Sequence, residues 1–336
     1  MESENLNQYL LLFNLLEYWD REWRKNMTDT WIRFEACDIN DPDTLVGLDY
    51  QGSFPPPSPR AKNPSQRFSF DPKQIVDSSI TNLCFFDSFG ELVEVDVREL
   101  DRFKGEVTVA WNTNAENSGV RPENIKTLTS YSWFPPRNKR EALLKFADDF
   151  LENPESEIVS FALFRREPPA LSIDLKDKKF QPDLDHLKKT ASALNNSYLA
   201  IQGPPGTGKT WAGARIIHHL VTVEKKRVGI TAQSWSAIEN LLEATVKVFE
   251  KERNENLESG LEPLKAVLRK PKPKDKEPIE GVTYTTNDKG NLFADFDLVA
   301  STTWFWAHED FNEENKFDYL VIEKQASLHL LTLWFQ

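Results

Sequence analysis

Eight consecutive residues, Gly203-Pro204-Pro205-Gly206-Thr207-Gly208-Lys209-Thr210, fit the pattern G-x-x-x-x-G-K-[ST]. Glycines at such spacing let successive backbone N–H groups turn inward around phosphate oxygens. The lysine can reach β and γ phosphates, and the threonine hydroxyl can ligate Mg²⁺. The pattern predicts a nucleotide site with residues Gly203 to Thr210 as its cradle. Lys209 is its reactive cation and Thr210 its metal ligand.

A loop of this kind needs a strand to feed it and a helix to receive it, so that the helix N-terminus adds partial positive charge. Tyr198-Leu199-Ala200-Ile201-Gln202 reads as the strand. Ala212, Ile216, Ile217 and Leu220 recur at helical spacing behind the loop. Further short β-rich runs lie at 227–231, 297–301 and 319–322, with helical stretches between them. That alternation predicts an α/β domain over 181–336 with a parallel sheet buried on both faces. The polar run 269–276 (Arg269-Lys270-Pro271-Lys272-Pro273-Lys274-Asp275-Lys276) reads as a solvated insertion.

Upstream the pattern changes. Leu12, Leu16, Trp19 and Trp23 share one face of a helix expected over about 5–25 and are expected to be core. Residues 36–66, rich in proline, read as loop, so 1–66 is a helical linker and loop. Val93, Val95 and Val97 alternate with acidic residues, and Val107, Val109 and Trp111 alternate with Thr108 and Ala110. This predicts a small antiparallel sheet or β barrel over 67–131. A helical connector follows over 132–180, with a helix at 139–152.

The chain has 336 residues, 39% of them apolar and 12% aromatic, a globular composition. Two cysteines, Cys37 and Cys84, exclude a disulfide scaffold and a multi-cysteine zinc module. A net charge of −12 excludes coating nucleic acid by bulk charge and leaves room for a local strip. The run Leu10 to Phe13 is too short to span a membrane, and no basic leader precedes it, so a cytoplasmic protein is expected. His218-His219 point apart on a helix and are not expected to bind metal.

Ala200-Ile201-Gln202 running into the phosphate loop resembles motif I of superfamily-1 helicases of the 5′-to-3′ class. The stretch 228–241, from Val228 to Leu241, looks like motif Ia, and Leu298-Val299-Ala300-Ser301-Thr302-Thr303-Trp304 looks like motif Ic. Phe317-Asp318-Tyr319-Leu320-Val321-Ile322 looks like the strand entering motif II. The resemblance implies a RecA-like motor domain that binds ATP and Mg²⁺ and works on single-stranded nucleic acid, DNA before RNA. Thr231, Ser234 and Thr302 are its candidate strand contacts and Glu323 its candidate motif II acid. The whole chain resembles the middle of bacterial RecB-like nuclease–helicase fusions.

The match departs from the family in three places. The helix at 184–189 lacks the glutamine that reads adenine in this class. Glu323-Lys324-Gln325-Ala326-Ser327 stands where Asp-Glu-Ala-Ser-Gln is expected. Deleting the third base of GAT GAA GCA AGC CAG yields Glu-Lys-Gln-Ala followed by Ser or Arg, so a shifted reading frame is expected here. The residues of a second motor domain do not follow Gln336, so that domain is expected to be encoded downstream. On this reading the chain alone binds nucleotide and does not turn it over. The apolar tail from Leu328 to Phe335 caps the exposed sheet edge beside Val321 or promotes aggregation. The alternatives are a non-catalytic, nucleotide-dependent binding module and an inactive pseudogene product.

Overall fold

The computed structural model describes residues 2–58, 61–133, 136–172, 183–255, 262–273, 277–287, 293–307, 317–323 and 328–332. The chain divides into two units. One is Glu17–Pro136; the other joins Met1–Leu16 to Arg137–Gln336.

Two helices open the chain, α1 (Glu2–Leu16) and α2 (Tyr18–Ala36). The single helix expected over 5–25 is therefore broken at Glu17, and its stripe is split between the units. Leu12 is buried as expected, but Trp23 is 43% exposed. The unit Glu17–Pro136 holds α2, the strands β1 (Thr44–Val46), β2 (Asp49–Phe54), β3 (Ser65–Ser69), β4 (Asn82–Phe86), β5 (Leu92–Asp101), β6 (Glu106–Ala110) and β7 (Thr127–Ser130), and the short helix α3 (Thr113–Asn117). All seven strands form one antiparallel sheet in the order β1-β7-β4-β5-β6-β3-β2. Residues 36–66, read as loop from their prolines, thus supply β1 and β2 as well as the start of β3.

The period of two does its expected work in this sheet. Val93, Val95, Val107 and Val109 are buried together with Leu45, Phe68, Leu83, Phe85 and Leu128. Phe85 stacks on Trp111, ring centroids 5.6 Å apart. Gly105 makes the β5–β6 turn in the left-handed region (φ +67°), and a Cβ there would lie 2.2 Å from the Phe70 carbonyl oxygen. Only glycine fits that turn.

The second unit continues with the helices α4 (Arg137–Glu152), α5 (Val159–Arg165) and α6 (Leu184–Ser192). α1 packs on α4 through a cluster of Leu12, Ala147, Phe150, Phe161 and Phe164. Then come β8 (Tyr198–Gln202), α7 (Lys209–Thr222), β9 (Val228–Ala232), α8 (Trp235–Glu255), β10 (Ala266–Leu268), β11 (Val282–Tyr284), β12 (Leu298–Ala300), α9 (Thr303–Trp306), β13 (Tyr319–Glu323) and β14 (Leu328–Thr332). Their sheet has the order β11-β10-β12-β9-β13-β14-β8. Pairing is parallel from β11 through to β13. β14 alone runs the other way, antiparallel to both β13 and β8. The tail strand therefore covers the edge beside Val321, with Leu331 opposite it, and is itself flanked by β8 on its other side.

β9 is buried along its whole length, and α7 and α8 cover the sheet with Ile216, Ile217, Leu220, Leu241 and Leu242. Each such side chain contributes about 1.5–3 kcal/mol when fully buried. The start of the run expected to be a solvated insertion is instead docked. Arg269 donates its backbone N–H to Ala300 O, and Lys270 pairs with Glu239 at 2.7 Å. Residues 274–276 of that run, residues 324–327 of the motif II stretch and the last four residues, 333–336, lie outside the described residues. No helix among the described residues is long and apolar enough to cross a membrane.

Candidate functional site

β8 ends at Gln202 and α7 begins at Lys209, so the loop spans the strand-to-helix gap. Gly206 and Gly208 adopt φ of +81° and +84°, a region that other residues enter only under strain. A Cβ on Gly203 would lie 2.6 Å from Thr207 Oγ1, which donates to Pro204 O at 2.8 Å. The Lys209 ammonium donates to Gly203 O at 2.5 Å and to Pro204 O at 2.9 Å. It thus lies within the curl of the loop, where a phosphate would sit in a cradle of this type.

The Thr210 hydroxyl donates to Glu323 Oε1 at 3.2 Å. This contact joins the first turn of α7 to the carboxyl end of β13. Burial pushes the Glu323 carboxyl above its ordinary value, against the Thr210 hydrogen bond and the Lys209 charge, which pull it down. A hydroxyl and a carboxylate oxygen converging beside a phosphate cradle form a hard-oxygen donor set suited to Mg²⁺.

The three candidate strand contacts fall in different places. Thr231 lies inside β9 at 2% exposure, and its hydroxyl has no partner among the described residues. A hydroxyl buried in that way does not face a strand in solvent. Ser234 lies between β9 and α8, where its hydroxyl accepts the Ala237 N–H at 3.3 Å and pairs with Ser236 Oγ at 3.1 Å. That is helix-cap geometry. Thr302 holds the N-cap position of α9, just past the end of β12.

Three tryptophan–cation pairs among the described residues escaped the sequence reading. Trp211, the residue after Thr210, is half exposed and carries the Arg215 guanidinium 3.8 Å over its ring. Lys270 lies 5.2 Å over Trp235, and Lys139 lies 4.4 Å over Trp304. The spacing of Trp211 and Arg215, four residues apart on a helix, could have revealed the first pair. The other two join residues distant in sequence and left no local signal. His219 is bound to Ser192 Oγ at 3.1 Å, and His218 packs edge-on against Phe249. No group of three or more His, Cys, Asp or Glu suited to a metal occurs among the described residues.

Residues 182–261 match the AAA domain family. The chain is also similar to the ATP-dependent helicase NAM7 of Saccharomyces cerevisiae, 31% identical over 131 residues. That alignment covers 37% of this chain and 13% of the relative. A regulator of nonsense transcripts 1 homolog of Neurospora crassa is 42% identical over 72 residues, 20% of this chain and 7% of the relative. The chain thus spans a small part of the length of either relative. With the strand–loop–helix geometry, these likenesses support a P-loop domain of the superfamily-1 helicase type, carried on a mixed α/β fold with a parallel sheet.

Proposed function

We propose that the chain is an ATP-binding motor part of a nucleic-acid helicase. The observation that carries this reading is the convergence of Lys209, Thr210 and Glu323 at the carboxyl ends of β8 and β13. In an open parallel sheet that is the side on which ligands bind. On this reading the loop amides from Gly203 to Thr210 hold the phosphates, and Lys209 leaves the carbonyls of Gly203 and Pro204 to meet the β and γ oxygens. Thr210 and Glu323 would hold Mg²⁺, which when bound neutralises charge developing on the transferred phosphoryl group. Ser234 and Thr302 belong to the strand-binding edge of the same sheet. The finer parts of the proposal are hydrolysis coupled to unwinding, a barrel-like closure of the β module, whose strands run from Thr44 to Ser130 and not from 67, a connector over 132–180, kinship with RecB-like fusions and a cytoplasmic setting. Single-stranded nucleic acid is the partner, with RNA on an equal footing with DNA, because one relative's name concerns transcripts.

A second reading, nucleotide-dependent binding without turnover, is favoured by one fact. Lys324 stands where the water-polarising glutamate is expected. The two readings separate in an ATPase assay with and without single-stranded DNA or RNA, run beside a titration with a fluorescent ATP analogue. Stimulated turnover supports the motor; binding without turnover supports the second reading. Lys209→Ala is expected to abolish binding in either case. Full affinity in that variant would remove the site assignment altogether.

A further inference from the structure

We propose that the α8 side of the second unit carries a docking groove for a basic, extended segment of a partner protein. The groove shares no residue with the phosphate loop and does not depend on the nucleotide reading.

Two cavities of about 310 and 350 Å³ share Val246, Glu250 and Glu280, and so run into one another. One wall is α8. Glu239, Glu243, Val246 and Glu250 recur along it at helical spacing, a stripe about 16 Å long at about 1.5 Å per residue. The other wall is the segment 277–281 that leads into β11. That wall is held in place. The Ile279 N–H donates to the Tyr284 hydroxyl at 2.9 Å, and Gly281 turns the chain in the left-handed region (φ +73°). Val246, Leu264 and Ile279 pack on the main core of the unit and give the groove an apolar floor. His218 of α7 and Phe249 of α8 line one end.

Three features point to a basic segment. First, six glutamates line the groove, Glu239, Glu243, Glu250, Glu262, Glu277 and Glu280, against two cations, Lys247 and Arg253. Two of the six already hold lysines of this chain. Glu239 pairs with Lys270 at 2.7 Å, and that lysine also lies 5.2 Å over the Trp235 ring. Glu243 pairs with Lys247 at 2.6 Å. The other four glutamates make no ion pair among the described residues. Lys272, the next lysine of the polar run, is exposed and makes none either. Second, the carboxylates are strung out. Among the described residues no group of three or more could hold a metal ion. A stripe of about 16 Å instead matches about five residues of extended chain at ~3.3 Å each, so successive basic side chains can meet successive acids. Third, the floor suits the methylene stems of lysine or arginine while their charged heads reach the walls. At the His218 end, Nε2 is buried and has no partner among the described residues. A buried nitrogen left unmatched is costly, and a peptide N–H or C=O would complete it, according to the tautomer. A backbone supplies such groups; a bare polyamine supplies no C=O.

The test uses the full chain and a short fluorescein-labelled peptide of alternating lysine and alanine, followed by anisotropy. Glu250→Gln with Glu280→Gln is expected to weaken binding about fivefold or more. Glu262→Gln with Glu277→Gln is a second pair and should also weaken it. Glu91→Gln with Glu99→Gln removes the same charge from the other unit and should bind the peptide like the parent. Thermal unfolding confirms that all three variants are folded, and each should bind the ATP analogue as the parent does. The inference is overturned if the groove pairs lose no more affinity than the control pair, or if the parent does not bind the peptide. It is also overturned if spermine at equal charge displaces the peptide as well as unlabelled peptide does. A gain in affinity in Lys272→Gln with Lys274→Gln would assign the groove to the chain's own lysine run. A dimer in sedimentation that Glu250→Gln with Glu280→Gln makes monomeric would assign it to a second copy. Either result would overturn the partner segment. Retained ATP binding in those cases would leave the motor reading intact. Loss of ATP binding in Lys209→Ala with peptide binding unchanged would support the two sites independently.

Discussion

Glu323→Gln separates the two duties of the carboxylate that faces Thr210. The change keeps the shape and keeps an oxygen to accept the Thr210 hydroxyl, now at 3.2 Å from Glu323 Oε1, so a neutral hydrogen bond of about 1 kcal/mol survives. What it removes is the charge. Without metal that charge is a burden, because burial raises the Glu323 carboxyl above its ordinary 4.5 despite Thr210 and Lys209. The folded chain then holds this proton more tightly than the unfolded chain. Ionising the group costs nothing below the unfolded value, costs more as pH rises through the raised folded value, and costs a constant amount above it. The variant should therefore melt like the parent in acid and above it at neutral pH. With Mg²⁺ and nucleotide the order reverses. Losing an orienting oxygen ligand typically costs 10–100-fold in metal affinity. That corresponds to about 1.4–2.8 kcal/mol in binding of the metal–nucleotide pair. In chelator the variant should bind the analogue as tightly as the parent or tighter, since a negative charge beside the phosphates has gone. The assay is a titration of fluorescent ATP with and without Mg²⁺, paired with thermal melts across pH. Equal losses with Mg²⁺ and chelator, or a lower melting point at neutral pH, would refute the metal-side role of Glu323.

Cys84 is buried, and burial pushes its thiol up to about 12, with Glu94 adding to the effect and Arg33 opposing it. A thiol reagent at pH 8 should titrate Cys37 alone in the folded chain and both cysteines in denaturant; a rapid second equivalent without denaturant would contradict the buried sheet. Burial lowers the His218 pKa below 6.5, helped by Lys188, His219 and Arg215 and opposed by Glu252. The folded state binds fewer protons there, so stability present above that range is lost as pH falls through the lowered value. His218→Gln should flatten the fall in urea midpoint between pH 7 and about 5.5. A Cβ on Gly229 would lie 2.6 Å from Trp306 Cη2 and 2.9 Å from Leu320 Cδ1. Gly229→Ala should cost about 1–3 kcal/mol by calorimetry or urea unfolding, with part of the loss recovered when Trp306 is made leucine.

What could be read directly from the residues was local. The phosphate loop needs no distant partner to be visible, and its feeding strand was placed at Tyr198–Gln202, where β8 lies. β13 continues one residue beyond the expected 319–322, to Glu323. The misses were decided by partners far along the chain. β2 carries a glycine and ends on prolines, and its strand character comes from pairing with β3. β10 and β11 are three residues each, too short for a periodic signal, and exist because each completes a parallel ladder. Thr231 looked reachable because it nears the end of its strand, yet a strand covered on both faces buries every residue, polar or not. The stripe from Leu12 to Trp23 matched helical spacing, but spacing alone does not reveal the break at Glu17.

The antiparallel strand β14 shows what the site requires of the sheet. β8 and β13 each pair with it, so they run parallel to one another with one strand between them. At ~4.8 Å per strand their carboxyl ends lie about 10 Å apart. Gln202 pairs with Leu328 and Glu323 with His329, adjacent positions of β14, so the two ends finish within one residue of the same level. From there the loop after Gln202 carries Thr210 back to within 3.2 Å of Glu323. This distance depends on the slot being filled, because an empty slot would leave β8 and β13 with unpaired edges and no fixed spacing. It does not depend on the direction of the filling strand, since interstrand spacing is nearly the same for parallel and antiparallel ladders. The contact between phosphate loop and carboxylate is therefore a property of strand count and register, and a strand running against the rest of the sheet is enough to set it.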